Sequence, residues 1–430
     1  MTGGSVRAEK PSGATAAALY GAVIALVLGY GFSYFLSRLG AGMLGDAAAR
    51  AQHGPAALAR AGLNLCAMMR ASLVGSGELP HAVDGVERVS AVIVLPLTVW
   101  AAIPAAALFI AGYAAARRRT GTGRWGTVLP ALAAGVMFAG VLALLAPVFG
   151  ATIASSALPA FGDVEFNPPD ITFAPSAGST LATGIAFGVV FTYLGALAAL
   201  RADLRPDRSP GRWWAAGSAV VMFALVLQAL VAGALAAWFL ASSRSEDMGP
   251  ESASRFLQML PTAAGIAYCL SHGSTLEAGV ESRSPGLESV YRPWSFEVSL
   301  YRGITRSDDR EQAHRAMTPY AYVLTAAAAL LIALSGWVAV RRGSRDGAVP
   351  TAARVAVVHS VYLAALIWMC RIAWSSAVES EGMVGRTLVF VGPRLDAVLA
   401  ASFGVVFVMA FVGAYLANRR YSAASDFAAL

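Results

Sequence analysis

Eight apolar stretches, each about 20 residues or longer, divide this 430-residue chain, and the segments joining them alternate between arginine-rich and acid-containing. Apolar runs of that length match helices crossing a ~30 Å hydrocarbon layer. Inside a bilayer every backbone N–H and C=O needs a partner within the protein, so spanning segments are helices or a closed barrel. A barrel requires segments of ~10 residues with alternating polarity, and these runs are longer and uniformly apolar. Composition agrees: 57% of residues are hydrophobic and 13% charged, against about a quarter charged in soluble domains. The expected fold class is an all-α integral membrane protein.

The spans are placed at 15–37, 89–116, 127–152, 179–200, 214–241, 320–340, 355–377 and 396–417. The N-terminus, 117–126, 201–213, 341–354 and the C-terminus then share one side. That side carries sixteen basic residues and five acids, and the remaining sixteen basic residues share the other side with twenty acids. The positive-inside rule places the arginine-rich side, with both termini, in the cytoplasm. Only one lysine occurs, Lys10; arginine bias with abundant Ala and Gly points to a GC-rich bacterial genome. The expected location is the bacterial cytoplasmic (inner) membrane. The net charge of +7 gathers at helix ends, which argues against nucleic acid as a partner and for the lipid bilayer.

Two further segments, 56–73 and 256–270, are apolar but short. The first carries Arg60 and Arg70, the second Gln258 and Pro261. Either one crossing alone would move every later arginine cluster to the opposite side, so both read as amphipathic helices on, or dipping into, the outer face. The first span reads as an uncleaved signal anchor, because its apolar core exceeds the ~7–15 residues of a signal peptide. Four short strand-like runs, Val89–Val94, Ile171–Phe173, Phe296–Leu300 and Leu388–Val391, precede even-numbered spans and could form a small outer cap.

The sequence also suggests a duplication. Ala61-Gly62-Leu63-Asn64-Leu65-Cys66 aligns with Ala264-Gly265-Ile266-Ala267-Tyr268-Cys269, and Phe187-Gly-Val-Val-Phe191 recurs as Phe403-Gly-Val-Val-Phe407. Two four-span halves, 1–212 and 213–430, follow, the second holding the long outer loop 242–319. Halves with an even number of spans share one orientation and are parallel repeats.

No span interior holds Asp or Glu. Intramembrane carboxylates mark ion and proton pathways, so a proton-coupled carrier is disfavoured. The candidate polar intramembrane residues are Gln228, expected in an interhelical hydrogen bond, and His359 and Arg371 in span seven. Arg371 is expected to snorkel to the outer interface, and His359 to lie one turn inside the cytoplasmic boundary. Cys66 and Cys269, at matching places in the two halves, are the candidate disulfide; Cys370 reads as a packing residue. Gly184 and Gly188 form a GxxxG motif matched by Ala400 and Gly404, and small residues four apart let helices approach closely. Packing between the halves or between protomers is expected there. Pro96, Pro104, Pro130 and Pro147 are expected to kink spans two and three.

Gly121-Thr-Gly-Arg-Trp-Gly126 fits the dinucleotide GxGxxG pattern but joins two spans instead of a strand and a soluble helix. GxxxxGK[ST], HExxH and GxSxG are absent, so no catalytic, cofactor or metal residue is assigned. The expected role is a non-enzymatic transport-associated subunit or envelope scaffold. Its short basic loops leave no room for a nucleotide-binding domain, so an ATP-driven role requires an ATPase partner. The alternatives are a passive or secondary permease with its pathway between the halves, and a membrane transferase acting on a lipid-linked substrate through outer-loop acids such as Asp84 or Asp163.

Overall fold

The computed structural model describes residues 13–38, 54–80, 86–96, 101–117, 125–153, 171–202, 211–242, 250–283, 291–299, 303–306, 319–343, 347–380, 383–394 and 396–428. Its contacts form two units, Met1–Val94 with Trp100–Arg205, and Pro206–Leu430 with Leu95–Val99.

The first unit contains α1 (Gly13–Arg38), α2 (Pro55–Met68), β1 (Leu73–Pro80), β2 (Val86–Val94) and α3 (Ala102–Arg117). It continues with α4 (Trp125–Leu145), a 3-10 turn (Ala146–Val148), β3 (Ala151–Ile153), β4 (Ile171–Pro175) and α5 (Ala177–Ala202). The second unit contains α6 (Arg212–Ser242), α7 (Pro250–Ser271), β5 (Thr275–Arg283), β6 (Tyr291–Ser299) and β7 (Gly303–Arg306). Then follow α8 (Pro319–Gly343), α9 (Ala348–Cys370), β8 (Ile372–Ser380), β9 (Met383–Pro393) and α10 (Asp396–Ala428).

Among the described residues, five helices are long and apolar enough to cross a membrane, with stretches at Ala177–Ala199, Arg212–Ala241, Tyr322–Arg342, Ala348–Cys370 and Ser402–Arg420. The α6 stretch has a mean hydropathy of 2.4, yet only 22% of its most apolar window is buried within the protein. Water would penalise so much exposed Leu and Val, and lipid does not. The chain is a multi-pass helical membrane protein. Shorter apolar stretches occupy α1, α3, α4 with its 3-10 turn, and α7.

The strands are more extensive than the sequence suggests. Antiparallel pairing gives the order β3–β4–β1–β2 in the first unit and β8–β9–β5–β6–β7 in the second. Two expected spans lose residues to strands: 89–94 belongs to β2 and 372–377 to β8. The helix of the seventh span therefore begins earlier, at Ala348, and ends at Cys370. Arg371 is thus not inside a helix but at the junction of α9 and β8, exposed, with its backbone against Gly392. His359 lies mid-helix, farther from the arginine-bearing end than expected. Pro104 sits in the first turn of α3 and Pro147 in the 3-10 turn, where the missing N–H costs little.

The two short helices are core elements. Ten of the fourteen α2 residues are buried, among them Arg60 and Asn64, so α2 lacks the solvated face of an interfacial helix. Tyr30 Oη donates to the Leu58 carbonyl at 2.7 Å, and Ser33 Oγ to Met68 Sδ at 3.8 Å. In the second unit, Cys370 Sγ donates to the Thr262 carbonyl at 3.6 Å, and Tyr268 Oη bonds His359 Nε2 at 2.9 Å. These contacts descend eleven residues of α9, roughly 16 Å, so α7 dips its C-terminal end into the bundle.

Both helices end in the same backbone turn. N–H groups of Met69, Arg70 and Ala71 donate to Cys66, Ala67 and Cys66; those of His272, Gly273 and Ser274 donate to Cys269, Leu270 and Cys269. The left-handed position is Arg70 (φ 65°) in one and Gly273 (φ 85°) in the other. The strands keep step: Leu73 faces Pro175 as Leu276 faces Pro393. Ser176 N–H donates to the Ser72 carbonyl at 2.8 Å, as Arg394 N–H does to Thr275 at 2.9 Å.

Helix crossings match as well. A Cβ on Gly112 or Gly195 would strike the Thr192 or Phe109 carbonyl, so α3 and α5 touch backbone to backbone. Gly336 and Gly413 stand in the same reciprocal relation to Ala410 and Ala333 on α10 and α8. Gly195 and Gly413 are 218 residues apart, as are Pro175 and Pro393. The Phe-Gly-Val-Val-Phe match, separated by 216, is two residues out of step with this frame. Gly184 and Gly188 pack within their own unit, against Ala139 and Gly135 of α4, whereas Gly404 faces open space. Ala400 has no described side chain.

Candidate functional site

Five polar side chains inside the second unit gather into one cluster. Gln228 on α6 donates from Nε2 to Tyr362 Oη on α9 at 2.6 Å. One turn away on α9, His359 Nε2 bonds Tyr268 Oη at 2.9 Å. His272 Nδ1 meets the Tyr268 carbonyl at 2.8 Å, four residues back along its own chain. The His272 and His359 rings lie 4.6 Å apart, and Tyr268 packs edge-on to Tyr362 at 6.0 Å. Apolar Leu227, Leu363, Leu366 and Ile367 enclose the group. The associated cavity, beside Tyr268, His359 and Ser335, measures about 10 Å³, on the order of one water.

Hydrogen-bond accounting fixes part of the proton arrangement. A carbonyl only accepts, so His272 Nδ1 carries the proton. Burial disfavours the charged imidazole and shifts His272 below its usual pKa. Its Nε2 is then an acceptor. Both His272 Nε2 and His359 Nδ1 are buried without a hydrogen-bond partner. Groups in that condition cost stability, so the cluster is not an optimal core.

The described residues of the first unit do not repeat this histidine–tyrosine cluster. At the separation of 203 that superposes Cys66 on Cys269, Leu65 and Met69 stand where the second unit has Tyr268 and His272. Leu65 and Met69 pack with Phe138 and Leu142 in an apolar core. At these two positions the first unit is filled by apolar side chains, and its buried polar residues on the same helix are Arg60 and Asn64 instead.

Gln228 and His359 share this cluster, whereas Arg371 lies at the strand junction outside it. Tyr268, His272 and Tyr362 were not singled out in the sequence. Their signal was the spacing: Tyr268 and His272 are four apart, His359 and Tyr362 three apart, each pair sharing a helix face. Cys66 and Cys269, the candidate disulfide, are both buried, as is Cys370. Each thiol is enclosed by its own unit's core. Burial pushes the Cys66 thiol up to about 12, against a lowering bond with Thr180.

The first unit offers a different feature. An apolar groove of about 920 Å³ opens between α1, α2 and α4, lined by Leu26, Tyr30, Leu58, Leu65, Leu142 and Phe149 among others. Among the described residues no three His, Cys, Asp or Glu side chains converge in a metal-binding group.

Fold and site together define the class: a multi-pass helical membrane protein with antiparallel β-strands between its helices. Comparison with protein-family models, curated proteins and solved structures finds no match for the chain.

Proposed function

We propose that this protein is a non-enzymatic membrane component, an envelope scaffold or transport-associated subunit, built from two parallel four-span halves. The observation that carries the reading is the interior of the second unit. Its polar cluster is bonded internally, Gln228 to Tyr362 and His359 to Tyr268, within an apolar wall. A solute path would turn such groups towards an aqueous lumen.

The duplication rests on the repeated frame: the same helix-ending turn, strand register and glycine crossings recur in the same order, at separations of 203, 218 and 224 residues. It also supports eight spans. The α3–α5 crossing repeats that of α8 and α10, both of which have spanning length. The arginine-rich ends then face the cytoplasm of a bacterial cell, and the hairpins face outward.

Purification of the full chain in mild detergent, with cross-linking at the hairpins, tests the role. A stoichiometric protein partner is the expected result, and an ATPase among the partners selects the transport subunit. Solute flux in proteoliposomes containing this chain alone would overturn the proposal in favour of a permease. Transfer from a lipid-linked donor would overturn it in favour of an enzyme.

A further inference from the structure

The helix ends opposite the hairpins of the second unit carry an arrangement that the scaffold reading does not use. Trp337 on α8 lies under two guanidiniums from different helices. Arg341 of α8 sits 5.5 Å from the indole centroid, and Arg420 of α10 sits 5.0 Å from it. Arg419 covers Tyr415 at 5.7 Å, and Arg342 turns inward to Ser218 Oγ at 3.4 Å. Beneath them Val340, Ala414 and Ala417 close the interior, with Trp337 and Ala348 packed against them.

Among the described residues none of these four arginines has a carboxylate partner, whereas Arg394, at the strands, pairs with Glu297. Asp346 and Asp426 are the acids nearest in sequence. Fully paired, they would still leave two of the four arginines unbalanced. Arg341, Arg419 and Arg420 are exposed, and offer their charge outward at a membrane boundary.

Two apolar stripes lead to it. On α8, Leu330 and Leu334 are exposed and share a face with Trp337 and Arg341, at helical spacings of four, seven and eleven. On α10, exposed Val412 and Leu416 precede Arg420 in steps of four. The two helices touch backbone to backbone at Gly336 and Gly413, which brings both stripes to one seam. The first unit repeats half of the device: Arg117 covers Tyr113 at 5.3 Å, 224 residues before Arg341 and Trp337.

We infer that the α8–α10 seam binds a diacyl anionic phospholipid. Its phosphate is held between Arg341 and Arg420 above Trp337, and its chains lie along Leu330–Leu334 and Val412–Leu416. Guanidinium matches phosphate in planar, two-pronged hydrogen bonds. Stacking on an aromatic face pre-orients the guanidinium at little further entropic cost. The exposed apolar stripes select a lipid over free phosphate, which has nothing to place against them.

The test uses full-length protein in mild detergent, with lipid retention read by native mass spectrometry. Wild type is expected to retain phosphatidylglycerol in preference to phosphatidylcholine of the same chain length, and inorganic phosphate should not displace it at equal concentration. R341Q/R420Q should lose that retention by about thirty-fold, from two charges near a lipid surface. R386Q, which removes one charge on β9, should leave it unaltered. Equal retention of the two lipids by wild type, displacement by phosphate, or undiminished retention by R341Q/R420Q overturns the inference. Should that variant fail to fold, a salt series on wild type decides: charge-held lipid is released as ionic strength rises, and salt-independent retention overturns the site. No protein partner enters the measurement, so failure here leaves the scaffold reading standing.

Discussion

Replacing Gly413 by alanine adds one methyl group at the tightest point of the α8–α10 crossing. The new Cβ would lie 2.7 Å from the Ala333 carbonyl carbon and 3.1 Å from its Cα, with the carbonyl oxygen nearer still. Ordinary contact begins near 3.4 Å, so the helices must part by at least about 0.7 Å. The obstructing atoms are backbone and cannot swing aside as a side chain would. Overpacking of this kind costs roughly 1–3 kcal/mol, and rigid obstruction places Gly413→Ala in the upper half of that range. Alanine's better helix propensity returns at most about 1 kcal/mol. A net loss of about 1–2 kcal/mol is expected, read as the shift in an SDS or thermal unfolding midpoint in mixed micelles. Gly336→Ala strains the same crossing from the facing helix, where its Cβ would lie 2.9 Å from the Ala410 carbonyl carbon. Once one substitution has parted the helices, the second should cost less, so the double variant should lose less than the sum. Gly404, on the same helix but facing open space, should accept alanine without loss. Equal destabilisation by Gly404→Ala, or strict additivity of the crossing pair, would refute the close-packed seam.

Three further outcomes follow from the interior. Tyr268→Leu, His272→Met and His359→Phe together mimic the apolar filling of the first unit and should keep unfolding stability within about 1.5 kcal/mol, whereas His359→Ala alone should lose about 2 kcal/mol or more by leaving a cavity and an unpaired Tyr268 hydroxyl; a collapsed triple variant would show that the cluster is structural. A double-mutant cycle with Gln228→Leu and Tyr362→Phe should give a coupling of about 0.6–1.7 kcal/mol, and zero coupling would show that their 2.6 Å contact contributes nothing. With its thiol held at about 12, Cys66 should be thiolate to about one part in ten thousand at pH 8 and resist maleimide until the protein is unfolded. The sign is that of a raised acid: this contribution to stability is complete below pH 9.0 and disappears as pH climbs towards about 12, so rapid labelling of folded protein at pH 8 would contradict the burial.

The hydrocarbon-length helices were legible because apolar length is a property of consecutive residues. Leu, Val and Ala fill α5, α6, α8, α9 and α10, and no tertiary contact is needed to see it. The matching Cys66 and Cys269 segments were legible for a similar reason: a repeated local turn leaves a repeated local sequence. The hairpins were legible only in half. β4 alternates Ile171, Phe173 and Pro175 inward, but β1 reads Leu-Val-Gly-Ser-Gly-Glu-Leu-Pro, and such a segment becomes a strand because β2 and β4 bond it on both sides. β8 was absorbed into a span because Ile372, Ala373 and Trp374 continue the hydrophobicity of α9.

What the sequence by itself determined is membrane residence and the separation of charge along the chain, since both depend on the transfer of consecutive side chains between water and lipid. Tertiary structure decided the rest. It sank α2 and α7 into the bundles, brought Gln228, Tyr268, His272, His359 and Tyr362 within reach of one another, and set Arg341 and Arg420 over one indole. Hydrogen bonds and cation–π contacts act over a few ångströms. They join residues tens to over a hundred positions apart, so they exist only once the helices have packed.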